Sequence, residues 1–184
     1  LCYIKLRSMS NALVVIPTYN EIENIELLLR DITLLQRDFD VLVVDDNSPD
    51  GTSAVVEKLA IEFPNRIFLL KRTSKLGLGT AYISGFKWAL KRHYDFIFEM
   101  DADFSHNPKD LLRLYSACEK ENCDMAIGSR YVTGVNVVNW PMNRVLLSWG
   151  ASKYVRWITG MKIDDTTAGF ICYRRHVLET INLD

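Results

Sequence analysis

Tyr94-Asp95-Phe96-Ile97-Phe98-Glu99-Met100-Asp101-Ala102-Asp103-Phe104-Ser105-His106 is an apolar run that ends abruptly in two carboxylates one residue apart. A short apolar stretch bounded by polar residues predicts a strand buried on both faces. Such a strand delivers Asp101 and Asp103 to one edge of a sheet, where hard oxygen ligands can hold a divalent cation against a diphosphate. Ala12 to Ile16, Phe39 to Val44, Ile67 to Leu70 and Met125 to Ile127 have the same short apolar character, and Phe96 to Met100 is the strand of the quoted stretch. Between them, Ile22, Ile25, Leu28, Leu29, Ile32 and Leu35 recur at helical spacing, and Val55, Leu59, Ile61 and Phe63 mark a second helical segment. Strands alternating with helices imply parallel pairing through right-handed crossovers. The expected fold is α/β, a mostly parallel open sheet flanked by helices.

The composition sets bounds on function. A chain of 184 residues that is 48% hydrophobic suits one domain with a core on both faces of its sheet. A net charge of -1 argues against a nucleic-acid binder, which needs a basic excess to displace phosphate counterions. Cys2, Cys118, Cys123 and Cys172 lack metal-type spacing and read as idle thiols of a reducing, cytoplasmic compartment. No apolar stretch approaches the ~20 residues that span a bilayer. Residues 1–11 read as an irregular leader rather than a signal peptide. With no repeat or interior linker, residues 12–184 are expected to form one domain.

In open α/β sheets, ligands collect beyond the carboxyl ends of the strands, and the polar clusters of this chain fall there. The first strand runs into Pro17-Thr18-Tyr19-Asn20-Glu21 and the second into Asp45-Asp46-Asn47-Ser48-Pro49-Asp50-Gly51-Thr52. The fourth runs into Asp101 to His106 and the fifth into Gly128-Ser129-Arg130-Tyr131. Ser-Pro-Asp-Gly is a turn and Thr52 a candidate helix cap, which accounts for the second half of its block. Asp46 is placed to accept hydrogen bonds from a ribose or base, with Pro17, Tyr19 and Glu21 as a neighbouring wall. Capping of a helix that starts near Pro108 would explain Asn107, but not two acids at a strand end. The glycines Gly77, Gly79 and Gly85 are not spaced as a dinucleotide fingerprint, so a tight turn and a close helix-to-sheet contact are expected there.

Asp124 to Asp164 encloses no acidic residue, yet it holds Arg130, Arg144, Lys153, Arg156 and Lys162, together with Trp140, Trp149 and Trp157. Arg130 and Arg144 are candidates for holding an acceptor phosphate. A helix over 144–159 with aromatic and basic residues suits either a membrane surface or ordinary packing. Asp164-Asp165-Thr166-Thr167-Ala168-Gly169-Phe170 could cap or turn the chain or supply a base. Of the three histidines, only His106 lies near the paired acids.

The blocks Pro17 to Glu21, Asp45 to Thr52, Met100 to Asp103, Gly128 to Tyr131 and Thr167 to Phe170 occur in the order seen in the inverting family-two glycosyltransferases. From about Ala12 onward the chain resembles that family, and within it the branch that mannosylates dolichyl-type and other polyprenyl phosphates. The resemblance implies a nucleotide-sugar-binding fold of the GT-A type, GDP-mannose as donor, a polyprenyl phosphate as acceptor, and Mg²⁺ or Mn²⁺ as cofactor. It implies that Pro17, Tyr19, Glu21, Val44 and Asp46 line the nucleotide pocket. It also implies that Asp101, Ala102 and Asp103 meet metal and diphosphate, and that Arg130 and Arg144 hold phosphates at the reacting centre. Ser105 stands where some relatives place a metal-coordinating Gln. Relatives continue beyond the position of Asp184, so residues 12–184 are expected to be a catalytic domain lacking its C-terminal part. A cytoplasmic location, peripheral at the membrane surface, follows from the lipid acceptor.

Two alternatives stay open. A related transferase could use UDP-glucose or another nucleotide sugar, and a hydroxyl acceptor would then call on Asp164 or Asp165 as base. A phosphoacceptor receiver domain also ends a strand in Val-Leu-Val-Val-Asp-Asp, but would leave the later motifs without a role.

Overall fold

The computed structural model describes residues 10–121, 123–129, 150–151, 154–160, 163, 165 and 168–184. Within them, β1 (Ala12–Thr18) is an interior strand of a six-stranded sheet. It is followed by α1 (Ile25–Thr33), β2 (Asp40–Asp45), α2 (Thr52–Glu62), β3 (Ile67–Lys71), α3 (Leu78–Leu90) and β4 (Phe96–Glu99). A 3₁₀ turn (Pro108–Asp110) then leads into α4 (Leu111–Lys120), followed by β5 (Met125–Ile127), β6 (Ile171–Arg174) and the helix Arg175–Thr180, and residues 154–159 are also helical. The strand order is β3-β2-β1-β4-β6-β5. β3, β2, β1 and β4 run parallel, whereas β6 is antiparallel to both β4 and β5. The expected mostly parallel sheet is therefore present, and β6 is a strand that apolar runs alone did not reveal. Its sequence, Ile-Cys-Tyr-Arg, is short and ends in a charge, and only Cys172 is fully buried.

Period-two alternation splits the sheet residues between two cores. Ala12, Val14, Ile16, Val41, Val43 and Phe98 face α1, α2 and α4, where Ile25, Leu28, Leu29, Ile32, Val56, Leu59, Leu111 and Tyr115 meet them. Leu13, Val15, Leu42, Val44 and Ile97 face the other way, onto Ala81, Tyr82, Phe86 and Ala89 of α3 and onto Leu178. Each fully buried Leu, Ile or Val contributes about 1.5–3 kcal/mol relative to leaving it in water. The helical stripe holds for Ile25, Leu28, Leu29 and Ile32, but Ile22 precedes α1 and is exposed. In α2 the buried positions are Val56 and Leu59, while Ile61 is 83% exposed because it falls on the solvent side of the turn.

The close helix-to-sheet contact is at Gly85. A Cβ there would come within 2.3 Å of Val15 Cγ1, so only glycine lets α3 lie this near β1. Gly77 supplies the turn before α3 with a φ of 100°. Cys118 and Cys172 are buried free thiols and Cys123 is half-buried and free. Ser10 and Asn11, assigned to the leader from sequence, are tied to the fold. The Asn11 carbonyl accepts from Asp95 N–H at 2.9 Å and Phe96 N–H at 3.1 Å. No helix among the described residues is long and apolar enough to cross a membrane.

Candidate functional site

The loop after β1 is buckled to the loop after β2 by side chains of the Asp45 to Thr52 block. Thr18 Oγ1 donates to Asp45 Oδ1 at 2.9 Å, Asn20 N–H to Ser48 Oγ at 3.0 Å, Glu21 N–H to Thr52 Oγ1 at 3.0 Å and Ile22 N–H to Asp50 Oδ2 at 3.1 Å. Asp45 is fully buried and also accepts from Ser48 N–H, Ser48 Oγ and Ser53 Oγ. Burial opposes its ionisation, but the hydrogen bonds from Ser48, Ser53 and Thr18 outweigh burial and hold the carboxyl below its usual range. Thr52 is the first residue of α2 rather than its cap. Gly51 is the cap, and Asp50 before it accepts from Thr52 N–H at 2.9 Å. A receiver-type phosphoacceptor needs an accessible acid at the strand end, and Asp45 is sealed in this network.

These loops, with those after β3 and β4, enclose a cleft of about 260 Å³ lined by Pro17, Thr18, Tyr19, Glu21, Asp46, Lys75, Gly77, Leu78, Ala81, Asp101, Ala102 and Asp103. Seven of the residues singled out from sequence therefore share one hollow: Pro17, Tyr19, Glu21, Asp46, Asp101, Ala102 and Asp103. Val44 does not line it. Its side chain is fully buried against α3 because it lies inside β2, whereas Asp46, on the same face two residues on, lies past the strand end where the cleft opens. Arg130 and Arg144 lie outside the described residues, as does Asp164. Asp165 is buried. His106 packs on Phe170, with ring centroids 4.9 Å apart, and is not a wall of the cleft. Asn107 caps the 3₁₀ turn by accepting from Lys109 N–H.

The sequence reading missed Lys75, Gly77, Leu78 and Ala81, because it assigned the segment after β3 to turn and packing roles only. Its position beyond a strand end was the available signal. Lys75 lies 3.9 Å over the Tyr19 ring. Asp46 accepts from Leu76 N–H at 3.1 Å and forms an ion pair with Arg72 at 3.1 Å. Asp46 Oδ1 and Arg72 Nη1 nevertheless lack an aligned hydrogen bond, so the pair is coulombic and leaves an acceptor and a donor beside the cleft.

At the end of β4, Tyr82 Oη donates to Asp101 Oδ1 at 2.9 Å. Burial, and then the Asp101 charge, raise the Tyr82 phenol far above its usual range, so it remains a donor. Glu99 accepts from Tyr173 Oη at 3.1 Å. Its carboxyl is pushed up to about 7 by burial, with the Tyr173 hydrogen bond opposing and the Asp101 charge adding to the rise. Asp103 is exposed and accepts from Ser105 N–H at 2.9 Å. Phe104 follows with a φ of 57°, a left-handed conformation that a bulky residue rarely adopts and that costs on the order of 1–3 kcal/mol.

No third His, Cys, Asp or Glu joins Asp101 and Asp103 into a metal cage among the described residues. Two carboxylates on one cleft fit a cation of the Mg²⁺ or Mn²⁺ kind, which takes its remaining oxygens from substrate phosphates and water. A larger hollow of about 410 Å³ lies between α4 and β5, bordered by Arg113, Glu121, Ser129 and Phe170. It contains none of the paired acids, and the chemistry favours the smaller cleft.

Comparison with known proteins bears on the fold and the family. The chain is 49% identical over 178 residues to polyprenol monophosphomannose synthase of Mycolicibacterium smegmatis, covering 97% of this chain and 67% of that protein. It is 48% identical to undecaprenyl-phosphate mannosyltransferase of Micrococcus luteus, covering 94% and 70%. It is 41% identical to dolichol-phosphate mannosyltransferase of Pyrococcus furiosus, covering 93% and 48%. The chain thus spans about two thirds of the first two relatives and about half of the third. Among solved structures, it superposes on a mannosyltransferase from Pyrobaculum calidifontis in complex with GDP-Man and Mn²⁺ with a TM-score of 0.64 at 21% identity, covering 92% of this chain and 46% of that one. Glucosyl-3-phosphoglycerate synthase from Mycobacterium tuberculosis, with Mn²⁺, UDP-glucose and glycerol 3-phosphate, superposes with a TM-score of 0.65 at 18% identity, covering 92% and 58%. These two likenesses show the fold, which is of the GT-A type. The sequence model of glycosyl transferase family 2 matches residues 13–181, and the chain belongs to that family.

Proposed function

We propose that the chain transfers mannose from GDP-mannose to a polyprenyl phosphate, with inversion at the anomeric carbon. The observation that carries this reading is the cleft itself. It joins the paired acids Asp101 and Asp103 to a base-sized wall of Pro17, Tyr19, Lys75 and Asp46, in a chain 41–49% identical to three polyprenol-phosphate mannosyltransferases. In this arrangement the ribose and base lie against Tyr19 and Asp46, and the diphosphate reaches Asp101, Ala102 and Asp103. A bound Mg²⁺ or Mn²⁺ would stabilise the charge that appears on the departing diphosphate. Asp101 and Asp103 would hold it, and Glu21 would add a polar wall to the donor pocket.

The acceptor phosphate oxygen attacks the anomeric carbon from the face opposite the nucleotide. Because a lipid phosphate is already anionic at neutral pH, no strong base is needed, and orientation of the two substrates supplies much of the rate. Arg130 and Arg144, from the acid-free basic stretch, are the proposed phosphate holders. A lipid-linked acceptor also requires contact with a membrane surface. Tyr154, Trp157 and Ile158, exposed by 62%, 82% and 58%, fall at helical spacing beside Arg156 and support a peripheral contact there.

A thermal-shift panel with Mn²⁺ tests the donor, since a ligand that binds only the folded state raises its melting temperature. GDP-mannose is expected to stabilise the chain and UDP-glucose to do so much less. Stabilisation by UDP-glucose alone would overturn the donor assignment.

A further inference from the structure

The antiparallel strand β6 has a consequence at the cleft. Its register pairs Ile171 with Glu99, Cys172 with Phe98 and Tyr173 with Ile97. Continuing that register beyond the strand ends sets Phe170 opposite Met100 and Gly169 opposite Asp101. The space beside Asp101 is too tight for a side chain: a Cβ on Gly169 would stand 3.1 Å from Asp101 Oδ2. From the other side, Tyr82 of α3 gives its hydroxyl hydrogen to Asp101 Oδ1 at 2.9 Å. The Tyr82 ring is 7% exposed and stacks on Phe86 with centroids 6.2 Å apart, so the hydroxyl is held rather than free to swing. Phe170 is fixed in turn, at 1% exposure, between the His106 ring and Gly128.

We propose that Tyr82 and Gly169 are positioning residues that clamp the Asp101 carboxylate, the phenol by its hydrogen bond to one oxygen and Gly169 by lacking the Cβ that would crowd the other. The clamp fixes which part of the carboxylate faces the cleft, and so sets the cation geometry at a site whose other acid, Asp103, is exposed and accepts a hydrogen bond from Ser105 N–H of its own loop. A carboxylate that must be ordered on binding loses affinity to that ordering, whereas one already oriented by its neighbours does not. The inference rests on the metal-assisted reading above and assigns a role to Gly169.

The test measures Mn²⁺ affinity of the chain by titration with GDP present, together with GDP affinity without metal and the melting temperature of the metal-free protein. Tyr82→Phe keeps the ring and its stacking and removes only the hydroxyl. Gly169→Ala crowds the opposite oxygen. Each is expected to weaken Mn²⁺ binding by about 10- to 100-fold, with metal-free GDP affinity unchanged, a pattern that loss of general stability would not give. Asp101→Asn serves as the reference for loss of the ligand itself. Wild-type Mn²⁺ affinity in Tyr82→Phe overturns the clamp while leaving the metal site in place. Absence of Mn²⁺ binding in the unaltered chain overturns the metal reading and the clamp together.

Discussion

The Arg72 guanidinium stands 3.1 Å from the Asp46 carboxylate, and the two side chains are only 8% and 7% exposed. A pair this well shielded from water owes its stability to both partners being present, because either one alone is a charge left in a desolvated place. Arg72→Ala is therefore expected to lower the unfolding free energy by about 3 kcal/mol, read from urea denaturation. It should also weaken GDP binding, since Asp46 borders the cleft. Arg72→Lys keeps the charge but loses the Nη2 hydrogen bond to Thr80 Oγ1, and should fall between the two. A variant as stable as the unaltered chain would show that the pair is solvated in solution.

Asp45 gives a pH signature. Its folded-state pKa lies below the ordinary 3.8, so the unfolded chain binds more protons in acid and stability rises with pH there. Its contribution is complete above the unfolded value and is lost as pH falls through the folded one. Asp45→Asn removes the titration. The stability gap between Asp45→Asn and the unaltered chain should be widest at neutral pH and close progressively below about pH 4. A gap that stays constant down to pH 3 would mean the hydrogen-bonded buckle does not depend on the charge.

Much of this architecture was legible because its signals are local. An apolar run that must be buried on both faces reads as a strand wherever it stands, and the five such runs became β1 to β5. The polar loops after β1, β2 and β4 follow from the same signal, so Asp46, Asp101 and Asp103 line one cleft. What escaped was tertiary. Nothing in the Ile171 to Arg174 pattern announces that the chain inserts there antiparallel to β4, and the approach of Gly169 to Asp101 follows from that register alone. Val44 was given to the cleft by the family resemblance, but it sits one turn of the pleat inside β2, where α3 covers it, and only Asp46, past the strand end, reaches the cleft. Lys75 was overlooked because its segment had a sufficient structural explanation.

Gly85 carries the packing of α3 on β1. With Val15 Cγ1 2.3 Å from where a Cβ would stand, Gly85→Ala forces the helix outward. The expected cost is about 1–3 kcal/mol, seen as a lower urea midpoint. Gly79, six residues earlier on the same helix, has nothing within 4 Å of a built Cβ. Gly79→Ala should be neutral or stabilising by up to about 1 kcal/mol. Equal effects at the two positions would refute the close-contact account.

Donor and acceptor functions should separate by mutation if the proposed division of labour holds. Asp103 is exposed at the cleft and supports no core contact, so Asp103→Ala should leave the melting temperature nearly unchanged. Loss of a direct cation ligand should nevertheless reduce metal-dependent transfer by more than about a hundredfold, beyond what loss of a ligand's outer support costs. Arg144 belongs to the basic stretch that contains no acid. Arg144→Ala should raise the KM for the polyprenyl phosphate about tenfold, the effect of one charge-assisted hydrogen bond, while GDP-mannose binding stays as it was. Steady-state kinetics with each substrate varied in turn distinguishes the cases. If Arg144→Ala raised the donor KM and left the acceptor KM alone, the phosphate it holds would be the nucleotide's, and the acceptor would have to be gripped from elsewhere on the chain.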